Sequence, residues 1–389
     1  MGSLRGLVQP TIALFFLALA VTTAESQTAK NRSGAPLPNK PELGTIGERI
    51  NANTIAIVSG TTSATYLSIA DDLAAVLDDG DEFRILPVIG KGGAQNIKDV
   101  RYLKGVDLGI TQSAILNGYK KSKEYGTLDD KIVYIAKLFS EEMHVIVRAS
   151  SGYSILDQLA GRKVNLGAVG SGTQLAARDI FSKLGIEVQE VNMDQADGLE
   201  KLKAGEIAAT ILIAGKPAVS TERLRTSEGF RILPVPYRAA LHADYLPATF
   251  TEGDYPGLIE PGKTVDTVAV DAVLIAFNWP KGTDRYRRVE KFVENFFPKL
   301  AEFQKAPRHP KWKEANLAAT VPGWTRFPGA EDWLQKQRQP QQAQQQPTQR
   351  EQFNQFLAAR SATKPGTASE DREQLFKEFI QWNNTRERR

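Results

Sequence analysis

Cysteine is absent from the 389-residue sequence. Without thiols the chain forms no disulfide, offers no thiolate as nucleophile or metal ligand, and has no cysteine to carry a lipid anchor. Histidine is scarce, since only His144, His242 and His309 are present and they lie far apart in sequence. The HExxH and GxSxG patterns of metalloproteases and serine hydrolases are missing as well. The sequence therefore predicts a protein that is not an enzyme, with no metal site and no cofactor.

An excess of positive charge is also missing from the body of the chain. The formal net charge is +4, but residues 338–389 alone carry nine basic and six acidic side chains. Residues 25–337 carry 39 of each sign. Because nucleic-acid binding depends on basic surfaces that neutralise phosphates, this balance argues against a nucleic-acid partner.

The N-terminus carries a hydrophobic run that favours export. Arg5 precedes an apolar run from Leu7 to Val21, and small residues suited to cleavage follow it. This pattern predicts a cleavable signal peptide over residues 1–24 and a periplasmic location. An uncleaved membrane anchor stays open as the alternative, because the run contains no charge. Residues 25–49, rich in Ser, Pro and Asn, predict a leader or linker.

The succession of strand and helix patterns occurs twice. "TIAIVSG" (54–60), "FRILPV" (83–88) and "VDLGITQS" (106–113) predict strands, with helical spacing of apolar residues between them. "KVNLGAVGSGT" (163–173) begins the same succession about 110 residues later. Alternating strands and helices predict an α/β fold of two lobes, each a mostly parallel sheet flanked by helices. Ligands of such folds bind beyond the carboxyl ends of the strands, so we expect a central ligand cleft between the lobes.

The expected division of the chain follows from this repeat. Lobe I should comprise residues 50–148 plus 241–337, because a strand pattern at 265–280 and a helix from Asp284 to Gln304 complete the first unit. Lobe II should comprise residues 149–240. The Gln-rich tail, residues 338–389, contains two short amphipathic stretches. These are either helices that pack on the body or a docking motif for a protein partner.

The turn at Gly170-Ser171-Gly172-Thr173 leads directly into a helical pattern. A helix start has free amides and the positive end of the helix dipole, so it suits a carboxylate or phosphate. Ser171 and Gln174 also fit a capping box, in which the helix satisfies its own amides and needs no ligand. Similar turns at 59–66, 91–96 and 111–113 follow other strands. Their convergence favours a polar cleft over four unrelated caps.

Several segments together resemble a known family, the TAXI-type solute-binding proteins of TRAP transporters, and the resemblance implies the periplasmic-binding-protein type II fold. The segments are "SGTTSATY", "GGAQNI", "DLGITQS", "GAVGSGTQLAAR", "AGKP" and "FPGAEDWL". The resemblance covers about Asn53 to Gln337. It departs from the family pattern at three positions, where Ala64 replaces glycine, Ala94 replaces serine and Phe327 replaces histidine.

The resemblance implies an extracytoplasmic receptor that delivers a small anionic or zwitterionic ligand, such as glutamate, to TRAP membrane subunits. It also implies a set of residues that line or approach the ligand. They are Thr61, Thr62, Tyr66, Gly93, Asn96, Gln112, Ser113, Ser171, Gly172, Thr173 and Lys216. Two alternatives stay open: a binding protein of an ABC importer or sensor, and an adaptor that acts through its tail.

Overall fold

A computed structural model describes residues 43–62, 64–80 and 82–345, together with Phe356. The predicted signal peptide, most of the predicted leader and nearly all of the Gln-rich tail lie outside these described residues. Within them, no helix is both long and apolar enough to cross a membrane.

The described chain alternates strands and helices in the order predicted for both repeats. The strands are β1 (Thr54–Val58), β2 (Arg84–Val88), β3 (Leu108–Gln112), β4 (Ile132–Arg148), β5 (Lys163–Asn165), β6 (Gln189–Val191), β7 (Ala209–Ala214), β8 (Phe230–Ile232), β9 (Leu246–Thr251) and β10 (Thr264–Phe277). The helices are α1 (Leu43–Asn53), α2 (Thr65–Leu77), α3 (Gly93–Tyr102), α4 (Ser113–Ser122), α5 (Gly172–Leu184), α6 (Gln195–Ala204), α7 (Val219–Glu222), α8 (Asp284–Phe296), α9 (Leu300–Phe303) and α10 (Pro328–Gln345).

The strands form one curled sheet in the order β2-β1-β3-β10-β4-β7-β5-β6, while β8 pairs with β4 and β9 with β10. β1 pairs in parallel with β2 and β3, and β5 pairs in parallel with β6 and β7. We call the layers around β1 to β3 the first half and those around β5 to β9 the second half. The predicted α/β fold with two similar halves is confirmed.

Two long antiparallel strands, β4 and β10, join the halves. β10 pairs with β3 over Ala272–Ala276, and β4 pairs with β7 over Glu142–Val147. Both strands are buried along most of their length. A strand covered on both faces has no polar face to show in its sequence, which explains the apolar runs at 132–136 and 145–147 in β4 and at 272–277 in β10.

Each half has its own apolar core. In the first half, α2 and α8 pack on the sheet around Phe292, Phe296 and Trp312. In the second half, Phe181 and Tyr245 are among the residues packed against β4 and β7. Residues between 241 and 268, Tyr245 among them, also pack in the cores of the second half. The predicted lobe boundary near 240 stays a prediction, and these contacts favour a changeover inside β10.

The predicted helix from Asp284 to Gln304 was too long. α8 ends at Phe296, a 3₁₀ turn covers Phe297–Lys299, and α9 follows. Pro298 lacks the N–H that would continue the helical hydrogen bonds, which accounts for the interruption. The predicted apolar face of α8 is nevertheless buried.

Candidate functional site

The first residues of α3 and α5 are in direct contact between the two halves. A Cβ added to Gly93 would lie 2.8 Å from Gly172 Cα and 2.9 Å from Gly172 N. No other residue type could occupy position 93 at this separation, because any side chain would overlap backbone atoms of the opposite half. Two of the predicted glycine-rich turns therefore face each other.

Tyr66 and Gln112 lie against the same contact. A Cβ on Gly92 would lie 3.5 Å from the Tyr66 ring, and one on Gly172 would lie 3.3 Å from Gln112 Nε2. Both side chains are buried, with exposed fractions of 4% for Tyr66 and 1% for Gln112. Tyr66 belongs to the first turn of α2, and Gln112 precedes α4 directly. Residues at the starts of α2, α3, α4 and α5 therefore meet at the contact between Gly93 and Gly172.

A buried carboxylate, Glu141 of β4, completes this group. Tyr66 Oη donates a hydrogen bond of 2.5 Å to Glu141 Oε2, and Gln112 Nε2 donates one of 3.0 Å to the same oxygen. Burial raises the pKa of Glu141 to about 7, against the lowering effect of these two hydrogen bonds. We call Tyr66, Gly93, Gln112, Glu141 and Gly172 the helix-tip cluster.

One acceptor of the cluster is unused. Gln112 Oε1 is buried and has no hydrogen-bond partner among the described residues. An unpaired buried amide oxygen costs about 1–3 kcal/mol, so native structures seldom keep one without a reason. Gln95 Oε1 and Asn96 Oδ1 in α3 are also buried without a partner among the described residues, so unpaired amide oxygens gather around these strand ends.

The turn before α5 satisfies part of its own helix start. Ser171 Oγ accepts from Gln174 N at 3.1 Å, and Gly170 N donates to Gln174 Oε1 at 2.7 Å. Ser171 thus caps α5 as predicted, whereas Gln174 reaches back to the N–H of Gly170 and not to that of the N-cap residue Ser171, so the predicted capping box is only half formed. Thr173 Oγ1 accepts from Ile213 N of β7 at 3.1 Å. The Ser171 and Thr173 side chains thus already make hydrogen bonds within the second half.

Lys216 is paired within the second half. Its Nζ lies 3.0 Å from Asp254 Oδ2 and donates to Thr249 O at 2.7 Å. Its backbone N donates to Glu142 Oε2 at 3.0 Å. Contact between the Lys216 ammonium and a ligand would have to compete with Asp254.

Asn96 ties α3 to the ends of two strands. Its Nδ2 donates to the carbonyl oxygens of Val58, Ser59 and Ile110 at 3.1, 2.8 and 2.7 Å. The side chain is fully buried. We infer that Asn96 supports the site by holding α3 in place.

Replacing Asn96 with alanine is expected to lower the free energy of unfolding by about 2 kcal/mol, because buried carbonyls lose their donor. Equilibrium unfolding in urea measures this loss. Lys98→Ala, at an exposed position of the same helix, is the matched control. A loss no larger than that of Lys98→Ala would contradict the supporting role of Asn96.

The remaining predicted residues lie at the same strand ends. Thr61 O accepts from Ala64 N at 2.9 Å in the turn after β1, and Thr62 next to it is exposed. Ser113 is the half-buried first residue of α4. Their positions fit the rim of the helix-tip cluster, and their contact with a ligand stays a prediction.

Two buried charged residues, Glu141 of the helix-tip cluster and Lys311, were not predicted. Glu141 and Glu142 are adjacent on β4, so their side chains point to opposite faces of the sheet. Lys311 Nζ lies 2.6 Å from Glu142 Oε1 and 2.7 Å from Glu314 Oε1. The available signal was the pair of acids inside the apolar run of β4. Nothing in the sequence near Glu142 indicates its partner Lys311, which lies 169 residues away.

Residues 257–264, "GLIEPGKT", have the spacing of a phosphate-binding P-loop. In the structure they lead into β10 at Thr264, whereas a P-loop leads into a helix whose first amides cradle the phosphate. Because a strand and not a helix follows this segment, the segment does not form the phosphate-binding loop that its residue spacing indicates.

A model of the NMT1-like family matches residues 57–336, more than two thirds of the chain. The chain belongs to the NMT1-like family. All five residues of the helix-tip cluster lie inside the matched range.

Solved structures resemble this NMT1-like chain at low sequence identity. The substrate-binding protein of an amino acid ABC transporter shares 13% identity at a TM-score of 0.39, covering 67% of this chain and 96% of its own. A periplasmic transporter shares 15% at 0.44, covering 73% and 92%. An ancestral arginine-binding protein bound to arginine shares 15% at 0.42, covering 67% and 97%.

Proposed function

We propose that this NMT1-like protein is an extracytoplasmic solute-binding receptor. It captures a small ligand that bears a carboxylate between its two halves and delivers it to membrane subunits of a TRAP-type transporter. The observation that carries the proposal is the direct contact of the α3 and α5 helix starts across the two halves. The TRAP assignment and the periplasmic location rest on the sequence resemblance and the export pattern.

The physical basis is the match between helix starts and anions. The first amides of a helix have no partner within that helix, and the dipole adds about half a positive charge there. The α3 and α5 starts touch in this arrangement, so a carboxylate would enter as they separate and would then accept hydrogen bonds from both halves. A ligand that contacts both halves binds the closed arrangement more tightly than the open one. Binding therefore shifts the population toward the closed arrangement.

The predicted residues divide into two roles under this proposal. Tyr66, Gly93, Gln112 and Gly172 contact the ligand directly. The residues that support them are Asn96, Ser171, Thr173 and Lys216, and those at the rim are Thr61, Thr62 and Ser113.

The test is isothermal titration calorimetry of the full-length protein against a panel of organic acids and amino acids, with thermal shift as a second readout. We expect at least one compound to bind and to raise the melting temperature. Absence of both heat and thermal shift across the panel would refute the receptor function. Co-purification with TRAP membrane subunits, compared with ABC permease subunits, separates the two transporter types.

Gly93→Ala is expected to weaken binding of that compound at least tenfold. Gly93 has φ +51° and Gly170 has φ +78°. Alanine at either position therefore carries a similar backbone cost of about 1–2 kcal/mol. A Cβ at Gly170 meets no described atom within 4 Å, whereas one at Gly93 overlaps Gly172.

Gly170→Ala is thus the matched control, with a similar loss of stability and unchanged affinity. Calorimetry measures the affinity of each variant, and thermal denaturation measures its stability. Equal affinities in the two variants would show that contact between the tips is not needed for binding.

A further inference from the structure

We propose that α4 of the first half and α5 of the second form a latch that holds the two halves closed even when no ligand is bound. Gln112, which directly precedes α4, lies against Gly172, the first residue of α5. From that contact the two helices continue along the boundary between the halves. We use the name closing latch for Asn117 of α4, Leu175 of α5 and Asp244, which lies two residues before β9.

Apolar side chains of the latch cross the boundary between the halves in both directions. Leu175, in the first turn of α5, is half-buried and packs against the first-half core that contains Val58 and Ile97. Ala114, in the first turn of α4, packs against the second-half core that contains Phe181. Because exposing apolar surface to water is unfavourable, these contacts favour the closed arrangement whether or not a ligand is present.

Asp244 faces the first half from the second. Its side chain is 11% exposed, and Lys183 Nζ of its own half lies 2.8 Å from Oδ2. Its other oxygen, Oδ1, lies 3.5 Å from Asn117 Nδ2 of α4. Trp324 Nε1 donates to Asn117 Oδ1 at 2.9 Å, which directs the amide nitrogen of Asn117 toward Asp244. The Asp244 carboxylate is therefore shared between a lysine of its own half and an amide of the opposite half.

The charges around Asp244 also draw the halves together. Burial would raise the pKa of Asp244, but hydrogen bonds from Lys183 and Asn117 lower it. Lys121 of α4 lowers the pKa of Asp244 further, by charge attraction across the boundary. Two of these three partners belong to the first half. Their interactions with Asp244 are lost when the halves separate, so they too favour closure.

The latch acts on the balance between closed and open molecules and not on the identity of the ligand. In the closed arrangement the starts of α3 and α5 touch at Gly93 and Gly172, so a ligand enters only when the halves have separated. A stronger latch leaves fewer molecules open to entry at any moment. The latch therefore sets the fraction of the protein that can admit a ligand.

Double electron–electron resonance on the ligand-free, full-length protein tests the latch. Because the sequence has no cysteine, nitroxide labels attach only at the introduced Lys98→Cys and Ser182→Cys, at exposed positions of α3 and α5. Unfolding in urea, dialysis and refolding remove small molecules that co-purify. With the latch unchanged we expect one narrow distance distribution that matches the separation of these positions in the closed arrangement.

Asn117→Asp is expected to lower the ratio of closed to open molecules by at least about tenfold and to add a longer distance. The new carboxylate keeps the acceptor for Trp324 but faces Asp244 at short range. Two carboxylates repel strongly there only while the halves are closed. Asn295→Asp adds the same charge to α8, in the first half, and should leave the distances unchanged.

Two further variants separate the latch from a purely structural role of Asn117. Combining Asn117→Asp with Asp244→Asn exchanges the amide and the carboxylate, so it should restore the short distance. Leu175→Ala removes the apolar contact and should add the longer distance even if Asn117→Asp fails to fold. Leu103→Ala, at a leucine of the first half that is 55% exposed, is its control. Circular dichroism verifies the folding of each variant.

The outcomes separate the latch from the receptor function. A ligand-free protein that is mostly open overturns the latch, and so do folded Asn117→Asp and Leu175→Ala variants that keep the distances of the unchanged protein. The measurement needs no ligand, so either result leaves the receptor proposal standing. A calorimetric panel in which no compound binds counts against the receptor function and leaves the latch standing.

Discussion

Lys311→Met is expected to lower the free energy of unfolding by about 3–5 kcal/mol, the usual cost of removing one partner of a buried ion pair. Lys311 is 1% exposed and Glu142 is 4% exposed, and their Nζ and Oε1 atoms are 2.6 Å apart. Methionine has a similar length but no charge, so it leaves the Glu142 carboxylate buried without its cation. Denaturation in guanidinium chloride, monitored by circular dichroism, measures the loss.

Two further variants isolate the cause. Lys313→Met changes an exposed lysine in the same 3₁₀ turn, Pro310–Glu314, and should alter stability by less than 0.5 kcal/mol or so. Combining Lys311→Met with Glu142→Gln removes both charges and should recover part of the loss. A Lys311→Met protein as stable as the Lys313→Met control would contradict the buried pair.

Lowering the pH from 7 to 4.5 is expected to stabilise the wild type relative to Glu141→Gln by on the order of 3 kcal/mol. Burial raises the folded-state pKa of Glu141 from 4.5 to about 7. Between these values the folded protein holds a proton that the unfolded chain releases. The contribution is therefore fully present below pH 4.5 and is lost as the pH rises through 7.

His144 should act in the opposite direction. Its ring is buried, Nε2 lies 2.5 Å from Tyr255 Oη, and burial lowers its pKa from 6.5 to about 4. Between pH 6.5 and 4 the unfolded chain binds a proton that the folded protein lacks, so stability falls as the solution becomes acidic. The two slopes oppose each other between pH 4.5 and 6.5, and the wild type should depend less on pH than either single variant.

Urea titrations at pH 4.5, 5.5, 6.5 and 7.5 for the wild type, Glu141→Gln and His144→Gln check both slopes. Stability should fall with acid in Glu141→Gln and rise with acid in His144→Gln, each compared with the wild type. Parallel curves for the three proteins would mean that neither group changes its protonation on folding in this range.

The features that the sequence predicted well are those set by neighbouring residues. An unbroken apolar run specifies β1, and helical spacing of apolar residues specifies the buried face of α8. Ser171 specifies the capped start of α5. Fold class follows because strands joined by helices pair in parallel almost of necessity. The sequence also contains the signal for the end of α8, namely Pro298. The prediction missed it because it followed the apolar periodicity, which continues past the proline.

Features that depend on distant partners could not be predicted. The antiparallel pairing of β4 with β10 joins segments more than 100 residues apart, and neither strand shows its partner in its own pattern. The helix-tip cluster needs residues from five separate segments, so the sequence supplied the glycine-rich turns but not Glu141 between them. The Lys311–Glu142 pair is hidden for the same reason.

The continuity of β4 and β10 limits how a cleft between the halves can open. β10 pairs with β3 of the first half and with β9 of the second half, and β4 runs from the first-half core at Val133 and Ile135 to its pairing with β7 in the second half. Neither connection is a loose loop about which the halves could swing. Opening must instead bend β4 and β10 together. The register shift at Ala272/Val273 in the β10–β4 ladder is a place where a strand pair bends most easily. Glu141 is paired with Val270 close to that point. Glu141, and with it the helix-tip cluster, therefore lies close to the point where bending of the β4–β10 ladder would be concentrated.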